Sequence, residues 1–404
     1  MPVSAILVAA LALSSAEAEL KVRLPGVFAK AAEHYKVLDA AATPLRNGRK
    51  DGVPQIPHGY VAANGGNKSA YDMRDIYWWT SGHFPGSLWL LYEATGDEFF
   101  RKRGEEWMKL LEPVKHYSGI HDTGFMMYCS YGTARRILKT EEYDDILVET
   151  SKSLCKRYNK KLGLIRSWGN IGDNDHFLVI PDNMMNLEML LAASKMKNGS
   201  REFAEIAMSH ADKSMKNHFR DDGGCYHVLD YDQRDGFLGA VQEIRRGQGR
   251  SCRTAWARGQ AWGIYGFTMM YRATGHRRYL DFARKLADYA INHPDMPEDG
   301  VPYWDFGAPG EERDSSAAAV MASALIELSQ YVGDKKYRAF AVKQLTALCS
   351  PEYFSKGDEI GHFLLKHGVG HKPAGREIDT PLDYGDYYFL EALLRFRELK
   401  NREK

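Results

Sequence analysis

Cysteine is scarce in this 404-residue sequence: the five residues Cys129, Cys155, Cys225, Cys252 and Cys349 are odd in number and widely spaced. That pattern excludes both a disulfide framework and a structural zinc site, and leaves the thiols as small core residues. An excess of either charge is also missing, since 54 basic residues face 53 acidic ones for a formal net charge of +1. Global electrostatics therefore call for neither nucleic acid nor an anionic membrane as partner. No glycine-rich phosphate loop occurs, and the His and Asp spacings form no ligand set, so the expected cofactor and metal content is none. Little of the chain alternates at the period of a strand. The apolar run that opens the chain ends in Ala16-Glu17-Ala18, has the length of a signal peptide and is too short to span a bilayer. It lacks a positive n-region, because no Lys or Arg precedes Lys21; a start site placed a few residues too late accounts for this. The expectation is a leader over 1–18, a single domain over 19–404, and a periplasmic or secreted protein, cytoplasmic only if the leader does not function.

What the sequence does contain is helix. Twelve apolar-periodic segments begin near Pro25, Phe84, Asp97, Thr123, Glu142, Asp182, Ser200, Thr254, Arg278, Asp314, Asp334 and Asp386. Those in odd places are charged and amphipathic, as in the run from Glu98 to Leu111, and read as helices with one solvated face. Those in even places, such as Asp314-Ser-Ser-Ala-Ala-Ala-Val-Met-Ala, carry small and apolar residues all round and belong inside. A phrase recurs where an even segment meets an odd one: Ala94-Thr-Gly-Asp-Glu-Phe, Arg272-Ala-Thr-Gly-His-Arg-Arg-Tyr and Tyr331-Val-Gly-Asp-Lys-Lys-Tyr. Each is a C-cap followed by an aromatic that opens the next helix. An inner helix, a tight turn and an outer helix repeated about six times predict an all-α (α/α)6 toroid. An open α-solenoid uses the same hairpins, but its period is near constant and these units vary widely in length.

In a toroid the segments entering the inner helices open on one end, and the unusual residues cluster there: Trp78-Trp79, His121-Asp122, Trp168 with Asp182, Gln248 through Trp262, Asp305 with Asp314, and Asp383 with Asp386. Aromatic faces, carboxylates and amides in one cavity suit a carbohydrate. Singly, Asp182, Asp314 and Asp386 also read as helix N-caps, and Trp78 and Trp89 as core.

The ordered phrases Trp79-Thr-x-Gly-x-x-Pro-Gly, His121-Asp-x-Gly-Phe, Asp182-x-Met-Met-Asn-Leu, Trp256-x-Arg-Gly-Gln-Ala-Trp-Gly, Asp314-Ser-Ser-Ala and Tyr384-Gly-Asp-Tyr-Tyr-Phe-Leu-Glu-Ala resemble the unsaturated glucuronyl hydrolases of glycoside hydrolase family 88. The resemblance runs from Trp79 to the end of the chain and implies an (α/α)6 barrel. It also implies a glycosidase that hydrates the 4,5-double bond of a terminal uronate left by a polysaccharide lyase. By the same resemblance Asp182 is the general acid and base and Asp122 the second carboxylate, while Trp79, Trp168, His227, Gln248, Arg258 and Trp262 match substrate-contacting positions. The sequence departs from the family at Arg245-Arg246-Gly-Gln248-Gly-Arg250-Ser-Cys-Arg253, where four arginines suggest a substrate with a further anionic group such as a glycosaminoglycan sulfate; a solvated basic loop is the plain alternative. Other readings on the same fold are an inverting hydrolase of saturated glycosides, an unsaturated rhamnogalacturonyl hydrolase, an epimerase, and a sugar-binding toroid without activity.

Overall fold

A computed structural model of the chain describes residues 3–62 and 69–399, with side chains from residue 15 onward. Twelve helices dominate: α1 (Val3–Ala42), α2 (His83–Thr95), α3 (Glu98–Lys109), α4 (123–138), α5 (Asp144–Cys155), α6 (Asn183–Ala193), α7 (Arg201–Asn217), α8 (Ala257–Thr274), α9 (Arg277–Ile291), α10 (Ser315–Tyr331), α11 (Lys335–Leu348) and α12 (Asp383–Glu398). The even-numbered helices pack side by side in a closed inner ring, α12 returning to α2, and the odd-numbered ones cover them from outside. This is the (α/α)6 toroid.

The two rings differ in what they bury. Outer α9 turns Tyr279, Leu280, Ala283, Leu286, Ala287 and Ala290 inward and leaves its charged face in solvent. Inner α10 is buried on every side from Ser315 to Leu328. At the inner-to-outer turns Gly96 and Gly275 take the left-handed conformation that closes α2 and α8, at φ 72° and 70°. Helix α4 is interrupted by a π turn at Tyr128–Gly132.

Two features depart from the sequence expectation. Helix α1 does not begin near Pro25; it runs through that residue, because Leu20 and Leu24 bury against the barrel and outweigh the hydrogen bond that proline forgoes. The first two residues of the expected leader lie outside the described residues. Seven short strands are also present: a hairpin of β1 (Gln55–Val61) and β2 (Ala70–Asp75), a pair β3 (Tyr158–Asn159) and β4 (Leu164–Ile165), and an antiparallel sheet ordered β5 (Leu178–Val179), β6 (Val228–Tyr231), β7 (Val241–Arg245). That sheet lies over a small second apolar cluster that includes Phe177, Leu229 and Tyr231. All five cysteines are free; Cys129, Cys225 and Cys349 are buried, while Cys155 and Cys252 are only half-buried. Among the described residues no helix is long and apolar enough to cross a membrane.

Candidate active site

Most polar residues at helix starts are spent on capping. Asp97, Ser200, Asp314 and Asp334 each accept a backbone N–H from the first turn of the helix they open. Asp122 and Asp182 head the inner helices α4 and α6 but make no such bond, since their backbones (φ −78°, ψ 17° and φ −54°, ψ −28°) are not in the extended conformation of the four that cap. What sets them together is the approach of α4 to α6. A Cβ on Gly124 would lie 2.6 Å from Cα of Asn186, so only glycine permits it. The Asn186 side chain accepts the Phe125 amide (3.0 Å) and donates to Asp122 Oδ1 (3.4 Å). His121 Nε2 lies 3.1 Å from the same oxygen.

Asp182 Oδ2 is buried with no hydrogen-bond partner in the protein, and 3.9 Å away stands His227 Nε2, equally unpartnered. His227 Nδ1 accepts the backbone amide of Gln248 (2.7 Å), so Nε2 carries the ring proton and presents a donor to Asp182. Gly247 allows this contact: its φ is 58°, and a Cβ there would fall 2.1 Å from His227 Nδ1.

Burial pushes Asp122 up to about 8, with the charge of Asp182 adding to the rise and Asn186 and Arg157 opposing it. Burial also pushes Asp182 up, to about 7, against the pull of Arg258. The imidazoles move the other way: burial lowers His121 and His227 to about 3, so both are neutral at working pH. The chamber therefore combines neutral rings with two carboxyl groups that hold a proton into the neutral range.

The other sequence-indicated residues fall around this pair. Trp168 is half-buried and meets His227 edge-on, ring centroids 5.9 Å apart. Trp79 packs against Tyr384 (4.9 Å) and Phe125 (5.4 Å), and Phe125 in turn meets the fully buried Trp262 (5.1 Å). Gln248 donates its side-chain amide to the Gly370 carbonyl (3.0 Å). Arg258 has no exposed surface: its guanidinium pairs with Asp314 (3.2 Å), donates to the Val369 and Gly370 carbonyls, and lies on Trp256. It reaches the chamber through the 369–370 backbone and its charge. Gln260, inside the same phrase, is wholly structural, bonded to Gly223, Cys225 and Leu286. Of the three aspartates that read as caps, Asp314 caps, Asp386 instead accepts Leu364 N, Leu365 N and the Tyr35 hydroxyl, and Asp182 does neither. Trp89 is core, but Trp78 is half-buried beneath Arg74 at the rim.

The four arginines of the 245–253 loop are not equivalent. Arg245 is tied to Asp230 (2.8 Å) and Glu243 (2.6 Å), and Arg250 to Glu311. Arg246 and Arg253 are exposed, and Arg246 adjoins the Gly247-Gln248 contact with His227.

Sequence reading placed Asp383 at this end but missed its partners His58 and Glu377. His58 Nδ1 contacts Asp383 Oδ1 and its Nε2 contacts Glu377 Oε1, both at 3.1 Å. Burial alone would lower His58, yet the two carboxylates raise it to about 10, which makes it a buried cation beside Tyr384. His58 and Glu377 come from opposite ends of the chain and carry no local pattern. His58, Asp72 and Glu377 have the spacing of a cation site, their ligand atoms within 4.8 Å of one another. Arg74 already serves that corner, its Nη2 2.7 Å from Asp72 and 3.6 Å from Glu377.

Comparison with known proteins agrees with this geometry. Residues 60–396 match the Glycosyl Hydrolase Family 88 profile. The chain is 44% identical over 325 residues to the unsaturated glucuronyl hydrolase of Formosa agariphila, covering 80% of each. It is 34% identical over 337 residues to the unsaturated chondroitin disaccharide hydrolase of Streptococcus pyogenes serotype M1, covering 81% of this chain and 83% of that one. The fold matches the crystal structure of an unsaturated glucuronyl hydrolase specific for heparin with a TM-score of 0.82 and 41% identity, over 92% of this chain and 97% of that one. Two uncapped, proton-retaining carboxyls at the mouth of a helical toroid, on a sequence that matches over most of its length, place this chain in glycoside hydrolase family 88.

Proposed function

We propose that the protein releases the terminal 4,5-unsaturated uronic acid from lyase-generated glycosaminoglycan oligosaccharides, with Asp182 as general acid and base and Asp122 as its partner. The observation that carries this reading is the pair of buried, uncapped carboxyls whose proton persists near neutrality. The double bond of such a uronate belongs to a vinyl ether, so protonation at C4 leaves positive charge shared between C5 and the ring oxygen. Asp182, protonated below about pH 7, delivers that proton. As carboxylate it then takes a proton from the water that adds at C5, which restores the acid. The resulting hemiketal opens and frees the neighbouring sugar. His227, neutral and donating from Nε2, steadies the Asp182 carboxylate formed midway. Trp168 and Trp79 offer ring faces to the sugar.

The exposed Arg246 supports a substrate with an anionic group beyond its uronate, such as a sulfate. The apolar opening segment supports export to the periplasm or exterior, with cleavage after Ala18; N-terminal sequencing of the mature protein tests this. The catalytic reading is tested by following the ultraviolet absorbance of the enol ether while protein and unsaturated disaccharides are mixed. The wild type consumes the band, and Asp182→Asn and Asp122→Asn each lower kcat by about 10²–10⁴-fold, the usual range for loss of an acid–base group. Substantial activity in Asp182→Asn refutes the assignment.

A further inference from the structure

Between helix α5 and strand β3 lies Arg157, 2% exposed, whose donors all end on backbone carbonyls. Its Nε bonds the Arg166 carbonyl (2.8 Å), Nη1 bonds Ser118 (2.7 Å) and Gly119 (2.9 Å), and Nη2 bonds Ser167 (3.2 Å) and Gly169 (2.9 Å). Among the described residues no carboxylate lies within ion-pair distance of it. A buried cation without a counter-ion is costly, so one guanidinium saturated by five carbonyls is a committed feature. Only the arginine fork fills all five positions; a lysine offers three donors on one atom.

The five carbonyls belong to two segments, and each carries part of the site. Residues 118–119 lead into His121-Asp122, and residues 166–169 include Trp168. The Ser167 carbonyl also accepts the His121 amide (3.3 Å), Ser167 N donates to the Leu178 carbonyl (2.7 Å), and Ser167 Oγ accepts the Ile180 amide (3.1 Å), which ties in the segment ending at Asp182. Every loop bearing Asp122, Trp168 or Asp182 is therefore joined at this guanidinium, directly or through Ser167.

We propose that Arg157 is a positioning residue of the reaction: it locks the Asp122, Trp168 and Asp182 segments together and sets an unpaired cation behind Asp122. The electrostatic part agrees in sign with the forces on the pair, for Arg157 pulls Asp122 down while burial and Asp182 push it up. Burial and Arg166 lower Arg157 itself only to about 10, so it stays charged. The groups facing the pair are His121 and His227, both neutral, Arg258 on the Asp182 side, and Tyr117 beside Asp122 and Arg157, its hydroxyl pushed up by burial and hence neutral.

The inference rests on Asp122 and Asp182 being the reacting pair, and one experiment separates the two claims: pH profiles of kcat for wild type, R157Q and R157K beside the activities of D122N and D182N, with folding of each checked by circular dichroism. R157Q removes the charge, so the alkaline limb, where the pair loses its proton, moves upward by roughly half a unit to one unit, the size of a single charge acting across a partly desolvated gap. R157K keeps the charge and loses the fork, so the limb stays put while kcat/KM falls about tenfold or more. An unmoved limb in R157Q, or wild-type kcat/KM in R157K, overturns the proposal; should R157Q not fold, R157K decides alone. Activity surviving in D182N overturns the catalytic reading instead.

Discussion

Replacing Asp182 with asparagine should stabilise the protein while it removes the proposed acid–base group. The carboxyl rises from 3.8 to about 7 on folding, chiefly through burial. At about 1.4 kcal/mol per unit, its ionised form destabilises the native state by about 4 kcal/mol at most. The sign follows from linkage: a carboxyl whose native pKa is raised binds its proton more tightly when folded, so stability is lost as pH climbs from about 4 to 7. Asparagine removes the titration. Its amide brings two donors to a carboxyl that already faces the donors of His227 and Trp262, which costs about 1 kcal/mol, and local relaxation takes a further share. The net expectation is a gain of about 1–3 kcal/mol at pH 8, or about 1–4 °C in Tm for a chain of this length, falling through zero to a loss of about 1 kcal/mol towards pH 4, where only the cost of the amide remains. Thermal melts of wild type and variant across that range check it. A variant that melts at or below the wild type at pH 8, or a gain that does not shrink as pH falls, refutes the view of Asp182 as a charge held at a cost for catalysis.

Arg258→Lys should lose about 2–4 kcal/mol of stability by denaturant titration, because a point charge cannot hold Asp314 and the Val369 and Gly370 carbonyls together as the fork does; kcat/KM falls with it as the 369–370 wall loosens. Arg246→Ala should cut any preference for sulfated over unsulfated unsaturated disaccharides by about tenfold, the worth of one charge-assisted contact. Arg245→Ala, whose guanidinium is already engaged by Asp230 and Glu243, leaves that ratio unchanged. Equal effects from the two variants would remove Arg246 as the anion reader.

The helices were legible because their information is local: period, cap and turn residue all lie within a few positions. Eleven of the twelve begin within about three residues of where the pattern changes, and α1 departs because its start is fixed by Leu20 and Leu24 docking on distant helices. The strands escaped because two to seven residues, bulged in both longer pairings, leave too little alternation to count. Asp122 and Asp182 were found through ordered phrases, but their refusal to cap was not, since it depends on backbone angles that no residue type fixes. His58, Glu377 and Arg157 remained invisible because their partners are carbonyls or carboxylates brought by other segments, and a carbonyl has no letter in a sequence.

The ring closes on its own beginning. Helix α1 holds the far end of the chain through Arg23 on the Cys349 carbonyl (2.7 Å) and Tyr35 on Asp386 (3.1 Å), and holds α3 through Asp39 on Trp107 and Arg103. The buried face of α1 is thus covered by residues 326 and 351 positions further along the chain. Closure therefore rests on contacts between segments far apart in sequence, the kind that form slowly, and without α12 both α1 and α2 lose a neighbour.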